Sequence, residues 1–186
     1  MFILSYEGFG LSYQYQKFDD QTVYESINAD LMVQWLHPLR AVESHCRKVT
    51  GGIRANLKDM SQGVLLDVSF PVTCFQHPDK GIEKAMQNLL GKATDTIRFQ
   101  SDKMDIHALS TPQKQVMTFY GVLTVRKSES EAVVPTECRV EGAAWVCEFN
   151  WGSELAKHKI DVPSLIGIGW GKFSVHARMT FRATAS

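Results

Sequence analysis

Apolar and polar residues alternate along most of this chain with a period of two. Leu31, Val33 and Trp35 are interleaved with Met32, Gln34 and Leu36, and Ile53, Ala55 and Leu57 with Arg54, Asn56 and Lys58. Val64, Leu66, Val68 and Phe70 share one face, with Asp67 and Ser69 on the other. Met117, Phe119, Gly121, Leu123 and Val125 alternate with Thr118, Tyr120, Thr124 and Arg126, and Trp145, Cys147, Phe149 and Trp151 with Val146, Glu148 and Asn150. The cleanest case is the last: Phe173, Val175, Ala177, Met179 and Phe181 against Ser174, His176, Arg178, Thr180 and Arg182. Successive side chains of a strand point to opposite faces, so the pattern predicts half-buried strands. A slip of one residue would exchange every side chain between the faces, which ties Arg178 and Arg182 to the outside.

One stretch breaks the period. Ile82, Met86, Leu89 and Leu90 fall at helical spacing, with Pro78 and Asp79 where a helix starts and Gly91 where it stops. This predicts a helix from Lys80 to Leu90. A shorter helical turn is expected over Ser153 to Lys157. Gly51-Gly52, Ser61-Gln62-Gly63, Glu141-Gly142 and Gly167-Ile168-Gly169 read as turns. The last of these continues as Trp170-Gly171 and is similar to a phosphate-cradling loop, but it feeds a strand rather than a helix and reads as a turn. There is no internal repeat and no linker rich in Pro or Ser. The expectation is one all-β domain of about eight antiparallel strands with one inserted α-helix. A sandwich would satisfy the same pattern; a barrel has the advantage of leaving no edge strand exposed.

The 186 residues suffice for one domain with a sizeable core, and 44% are hydrophobic, so the chain should fold. The 20 basic and 20 acidic residues leave no basic excess, which argues against nucleic acid and against an anionic membrane surface as partners. No segment approaches the roughly 20 apolar residues of a membrane-spanning helix. Met1-Phe2-Ile3-Leu4-Ser5 is apolar but short and lacks a basic start. It reads either as a native cytoplasmic beginning or as the tail of an export signal, with Gly8-Phe9-Gly10 as a small-x-small cleavage site. Residues 1–17 are thus set apart as an N-terminal segment and 18–184 as the folded domain.

Little here suggests chemistry. His37, His45, His77, His107, His158 and His176 are scattered, no two at i, i+4, and read as solvated surface residues. Neither a metal site nor a cofactor is expected. There is no Gly-x-Ser-x-Gly elbow and no Cys-x-x-Cys. Cys138 and Cys147 flank Glu141-Gly142-Ala143-Ala144. With Gly142-Ala143 as a two-residue turn, Val140 pairs with Trp145 and Cys138 with Cys147. Both cysteines then point to one face at a close pair, as a cross-strand disulfide or as two buried thiols. The inward aromatics fill a solid core or line a cavity, and their number alone does not decide between the two.

The order of these pieces resembles the YceI-like family of lipocalin-like bacterial proteins, over about Phe18 to Ala183. His37-Pro38-Leu39-Arg40-Ala41-Val42-Glu43, followed by Val49-Thr50-Gly51-Gly52-Ile53, is similar to the first strand and turn of one subgroup. Val68-Ser69-Phe70-Pro71-Val72-Thr73-Cys74-Phe75 and the helix at Gly81-Ile82-Glu83-Lys84-Ala85-Met86 resemble the family's strand-then-helix segment. The strand Thr96-Ile97-Arg98-Phe99-Gln100-Ser101 and the Gly-x-Leu-Thr strand Gly121-Val122-Leu123-Thr124-Val125-Arg126 follow in order. Ile82-Glu83 stand where the family usually has Arg-Asp, and Lys127-Ser128-Glu129 where it has Gly and an apolar pair, which bears on the rim rather than on the fold.

The resemblance implies an antiparallel barrel with a long apolar interior that binds, stores or carries a polyisoprenoid or other long-chain lipid. The residues expected to line it are Leu31, Val33, Trp35, Leu66, Val68, Phe70, Phe119, Leu123, Trp145, Phe149, Phe173 and Val175. It implies a non-enzymatic protein of the bacterial periplasm or exterior, with the cytoplasm as the alternative and a homodimer left open. The alternative of another kind is a ligand-free interaction domain with a filled barrel. Interior volume separates the two.

Overall fold

In the computed structural model the described residues are 22–37, 40–55, 64–107, 110, 114–142, 144–159 and 172–183. The segment 1–17, the turns at Ser61-Gln62-Gly63 and Gly167-Ile168-Gly169, and Asn56, Leu57 and Lys58 lie outside them. The strands are β1 (Thr22–His37), β2 (Arg40–Cys46), β3 (Thr50–Ala55), β4 (Val64–Pro71), β5 (Thr96–Ile106), β6 (Lys114–Val125), β7 (Ser128–Glu141), β8 (Ala144–Glu154) and β9 (Lys172–Ala183). Helix α1 (Lys80–Leu90) lies between β4 and β5, and no described helix is long and apolar enough to cross a membrane.

All pairings are antiparallel, and the sheet closes on itself. The sixteen residues of β1 make this possible. Along one edge β1 pairs β9 from Tyr24 to Leu36; along the other it pairs β3 at Thr22–Glu25 and β2 at Leu31–His37. From β3 to β9 the strands follow in chain order, so a ring of eight closes through β1–β9 and β2 is a ninth strand beside it. The expected barrel of about eight strands is the observed architecture. Its lower end carries the β7–β8 turn, the start of β1 and the end of β9. Its upper end carries α1, the β6–β7 turn and the start of β9.

The alternation translates directly into the pleat. On β9, Phe173, Ala177, Met179 and Phe181 are buried and Val175 is half-buried, while Arg178 and Arg182 are exposed. A bulge between Ser101 and Lys103 restores the inward phase in β5, so that Ser101 and then Met104 face inward. Ser101 Oγ accepts a hydrogen bond from the Leu66 N–H at 2.7 Å. The bulged backbone passes so close to β6 that a Cβ on Gly121 would overlap the Gln100 carbonyl oxygen.

Helix α1 covers part of the upper end. Asp79 Oδ1 caps it, accepting from the N–H groups of Gly81 at 2.8 Å and Ile82 at 3.2 Å. Met86 and Leu90 face the core; Lys80, Lys84 and Asn88 face solvent. A disulfide between Cys46 and Cys74 ties the segment before the helix to the end of β2, and His45 and Gln76 exchange backbone hydrogen bonds beside it. Cys138 and Cys147 also form a disulfide, in the register Val140–Trp145 and Cys138–Cys147 that the two-residue turn predicts.

Candidate functional site: an apolar cavity and a split seam

The upper half of the barrel is hollow. It holds a cavity of about 100 Å³ that is partly open to solvent. Among the described residues its wall exposes only apolar atoms.

Of the residues expected to line it, Leu31, Val33, Trp35, Leu66, Val68, Phe70, Leu123, Phe149, Phe173 and Val175 do so. Phe119 and Trp145 do not: both are buried, but in the tightly packed part towards the lower end, with Met117, Phe181 and the Cys138–Cys147 bridge. Period two reports which face a side chain takes and carries no information about its height along the barrel axis. Ile97, Phe99, Val125, Ala132, Val134, Trp151, Ala177 and Met179 complete the wall from the strands. Val49, Phe75, Leu90, Leu155 and His158 close it from outside the strands, where no periodicity marks them.

His158 corrects the expectation that the histidines are solvated. His45, His107 and His176 are exposed, but His158 is only 2% exposed. It ends a 3-10 turn, Leu155–His158, one to two residues from the short turn expected at Ser153–Lys157. Its Nδ1 hydrogen-bonds Ser130 Oγ on β7, and its Nε2 hydrogen-bonds Ser153 Oγ on β8 at 2.9 Å. The ring packs against Trp151 and Phe173, each with centroids 5.7 Å away. Burial, and secondarily the charge of Lys157, push its pKa below the ordinary 6.5, which favours the neutral imidazole.

This histidine stands where the wall parts. The β7–β8 ladder stops at Thr136–Phe149, although β7 stays paired to β6 as far as Ser128 and β8 to β9 as far as Glu154. Proline explains the stop. Cys138 and Cys147 have Cα atoms 4.0 Å apart, the close spacing of a non-hydrogen-bonded pair. Alternation then makes Glu137 and position 135 the ones whose N–H groups face β8. Pro135 has none, and the ladder ends there. Above it the strands splay, and the His158 ring bridges them by side-chain hydrogen bonds.

No protein-family profile matches the chain, and no curated protein matches it in sequence. Solved structures do match in shape. The crystal structure of Burkholderia cenocepacia BcnA superposes with a TM-score of 0.67 at 13% identity, covering 82% of this chain and 95% of its own. A domain from Saccharophagus degradans, described as polyisoprenoid binding and implicated in plant cell wall breakdown, gives a TM-score of 0.67 at 7% identity, covering 87% and 98%. The chain therefore has the YceI-like, lipocalin-like barrel fold that its sequence resembles.

Proposed function

We propose that this barrel holds a long-chain apolar lipid of the polyisoprenoid type in its upper cavity and acts as a carrier or store for it. The observation that carries the reading is the cavity wall, apolar at every exposed atom. Each methylene moved from water into such a wall gains roughly 0.8 kcal/mol. The shared fold with a domain described as polyisoprenoid binding supports the same reading. The alternative, a filled barrel that serves only as an interaction domain, finds support in the lower end alone. All four cysteines are in disulfides, which supports an oxidising compartment such as the periplasm.

Native mass spectrometry of the purified protein, followed by organic extraction, is expected to release a prenyl-type lipid. Ala177→Trp tests the location. Ala177 is the smallest side chain that β9 contributes to the wall, so an indole there fills the slot. Uptake of a prenyl probe is expected to fall while the protein stays folded. Repeated empty preparations that take up no prenyl lipid, or unchanged uptake in folded Ala177→Trp, contradict the proposal.

A further inference from the structure

Among the described residues the cavity wall exposes only apolar atoms, but the split seam beside it gathers polar side chains. Even-numbered residues of β7 face inward, as Ala132 and Val134 do in the cavity wall. Continued upward, that face presents Ser130 and then Ser128. Ser130 is engaged by His158. The Ser128 hydroxyl is buried and has no hydrogen-bond partner among the described residues. Its strand partner across the β6–β7 turn, Val125, lines the cavity. A buried hydroxyl without a partner is destabilising, and a ligand atom at the top of the cavity would relieve that cost.

We propose that the split upper part of the β7–β8 seam, at Ser128, Ser130, Ser153 and His158, receives the polar end of the bound lipid, and that this end is an uncharged hydroxyl or carbonyl rather than a phosphate. The inference rests on the reading of the cavity as a prenyl-lipid site. The choice of an uncharged group follows from the charges. Among the described residues no Lys or Arg lines the cavity, and Arg126 and Lys127, in the turn before Ser128, are exposed. Lys157 lies on the outer side of the seam, in a shallow groove that it shares with Glu131. A buried phosphate without a paired cation is strongly disfavoured, whereas a hydroxyl or carbonyl needs only a donor or an acceptor. Serine hydroxyls provide both. Ala132 and Trp151 border both the groove and the cavity.

The test compares three ligands of one chain length: geranylgeraniol, geranylgeranyl diphosphate and the hydrocarbon without the hydroxyl. The wild-type protein is expected to bind the alcohol more tightly than the diphosphate. Ser128→Ala should weaken the alcohol by about 3–10-fold, the worth of one hydrogen bond, leave the hydrocarbon unchanged and not lower the unfolding midpoint. Ser128→Thr, which keeps the hydroxyl, should retain the alcohol's affinity. Tighter binding of the diphosphate, or an equal effect of Ser128→Ala on alcohol and hydrocarbon, overturns the proposal. Hydrocarbon binding without any preference for the alcohol overturns the head-group site while leaving the lipid cavity standing; failure of all three ligands to bind the wild type overturns both.

Discussion

The two ends of this barrel are built from the same strands and obey the same alternation, yet one is filled and the other is hollow. At the lower end Met117, Phe119, Cys147 and Phe181 are fully buried, and the Phe181 ring meets Phe149 of the cavity wall edge to face at 6.4 Å. The Cys138–Cys147 bridge crosses the same region. At the upper end the inward positions include Ala132, Ala177, Val33 and Val175, and the closing surfaces are the side of α1 and one 3-10 turn. Large side chains meeting across the axis fill the ring; smaller ones leave a slot. Stability and binding thus occupy different heights of one structure.

The largest expected effect sets the two ends against each other. Phe181→Ala should cost about 3–5 kcal/mol, because the lower end is packed on every side and cannot collapse into the void. Phe173 is 8% exposed and already borders the cavity, so Phe173→Ala should cost about half as much. Urea unfolding at constant m-value measures both. Equal losses would mean that the upper end is as well filled as the lower.

The disulfides sharpen the contrast. Cys46–Cys74 spans 28 residues at the loosely packed upper end, and Cys138–Cys147 spans 9 at the packed lower end. Loop-closure entropy gives about 3.5 kcal/mol for the longer tie and about 2.5 for the shorter. Replacing Cys46 and Cys74 by alanine should therefore destabilise more, and should speed amide exchange in α1 while leaving β8 protected. If α1 stays protected, the helix is held over the barrel by packing alone.

The smallest effect belongs to the bridge at the seam. The pKa of His158 is depressed in the folded state, chiefly by burial, so the unfolded chain binds its proton first. The contribution of the neutral ring is present above the unfolded value near 6.5 and is lost as pH falls from there through the depressed folded value. Denaturant midpoints should decline over that window, and His158→Phe should flatten this part of the decline. An unchanged slope in the variant would assign the acid sensitivity to other groups.

The legibility of the molecule follows the same division. The inward faces of β4, β6, β8 and β9, the limits of α1 and the Cys138–Cys147 pair could be read from the chain because each depends on neighbours a few residues away. Phe119 and Trp145 have the inward phase but not the height of the cavity, because height along the axis depends on strand stagger. The Cys46–Cys74 bridge joins two segments 28 residues apart, and no local pattern pairs them. The burial of His158 is not legible in the sequence, because it lies in a short turn with no period of its own and its neighbours Trp151 and Phe173 come from two strands.

What the sequence determined by itself is the set of strands, the side of each that turns inward, the single helix and the resemblance to a lipocalin-like barrel. These are local quantities: alternation, capping residues and turn chemistry. What only the tertiary structure decided is where the interior is empty and where the wall opens. Emptiness is a sum of side-chain volumes over eight strands at one height of the barrel. The opening at the seam needs Pro135, the close Cys138–Cys147 pair below it and a histidine from a distant turn, and these act together only once the ring has closed.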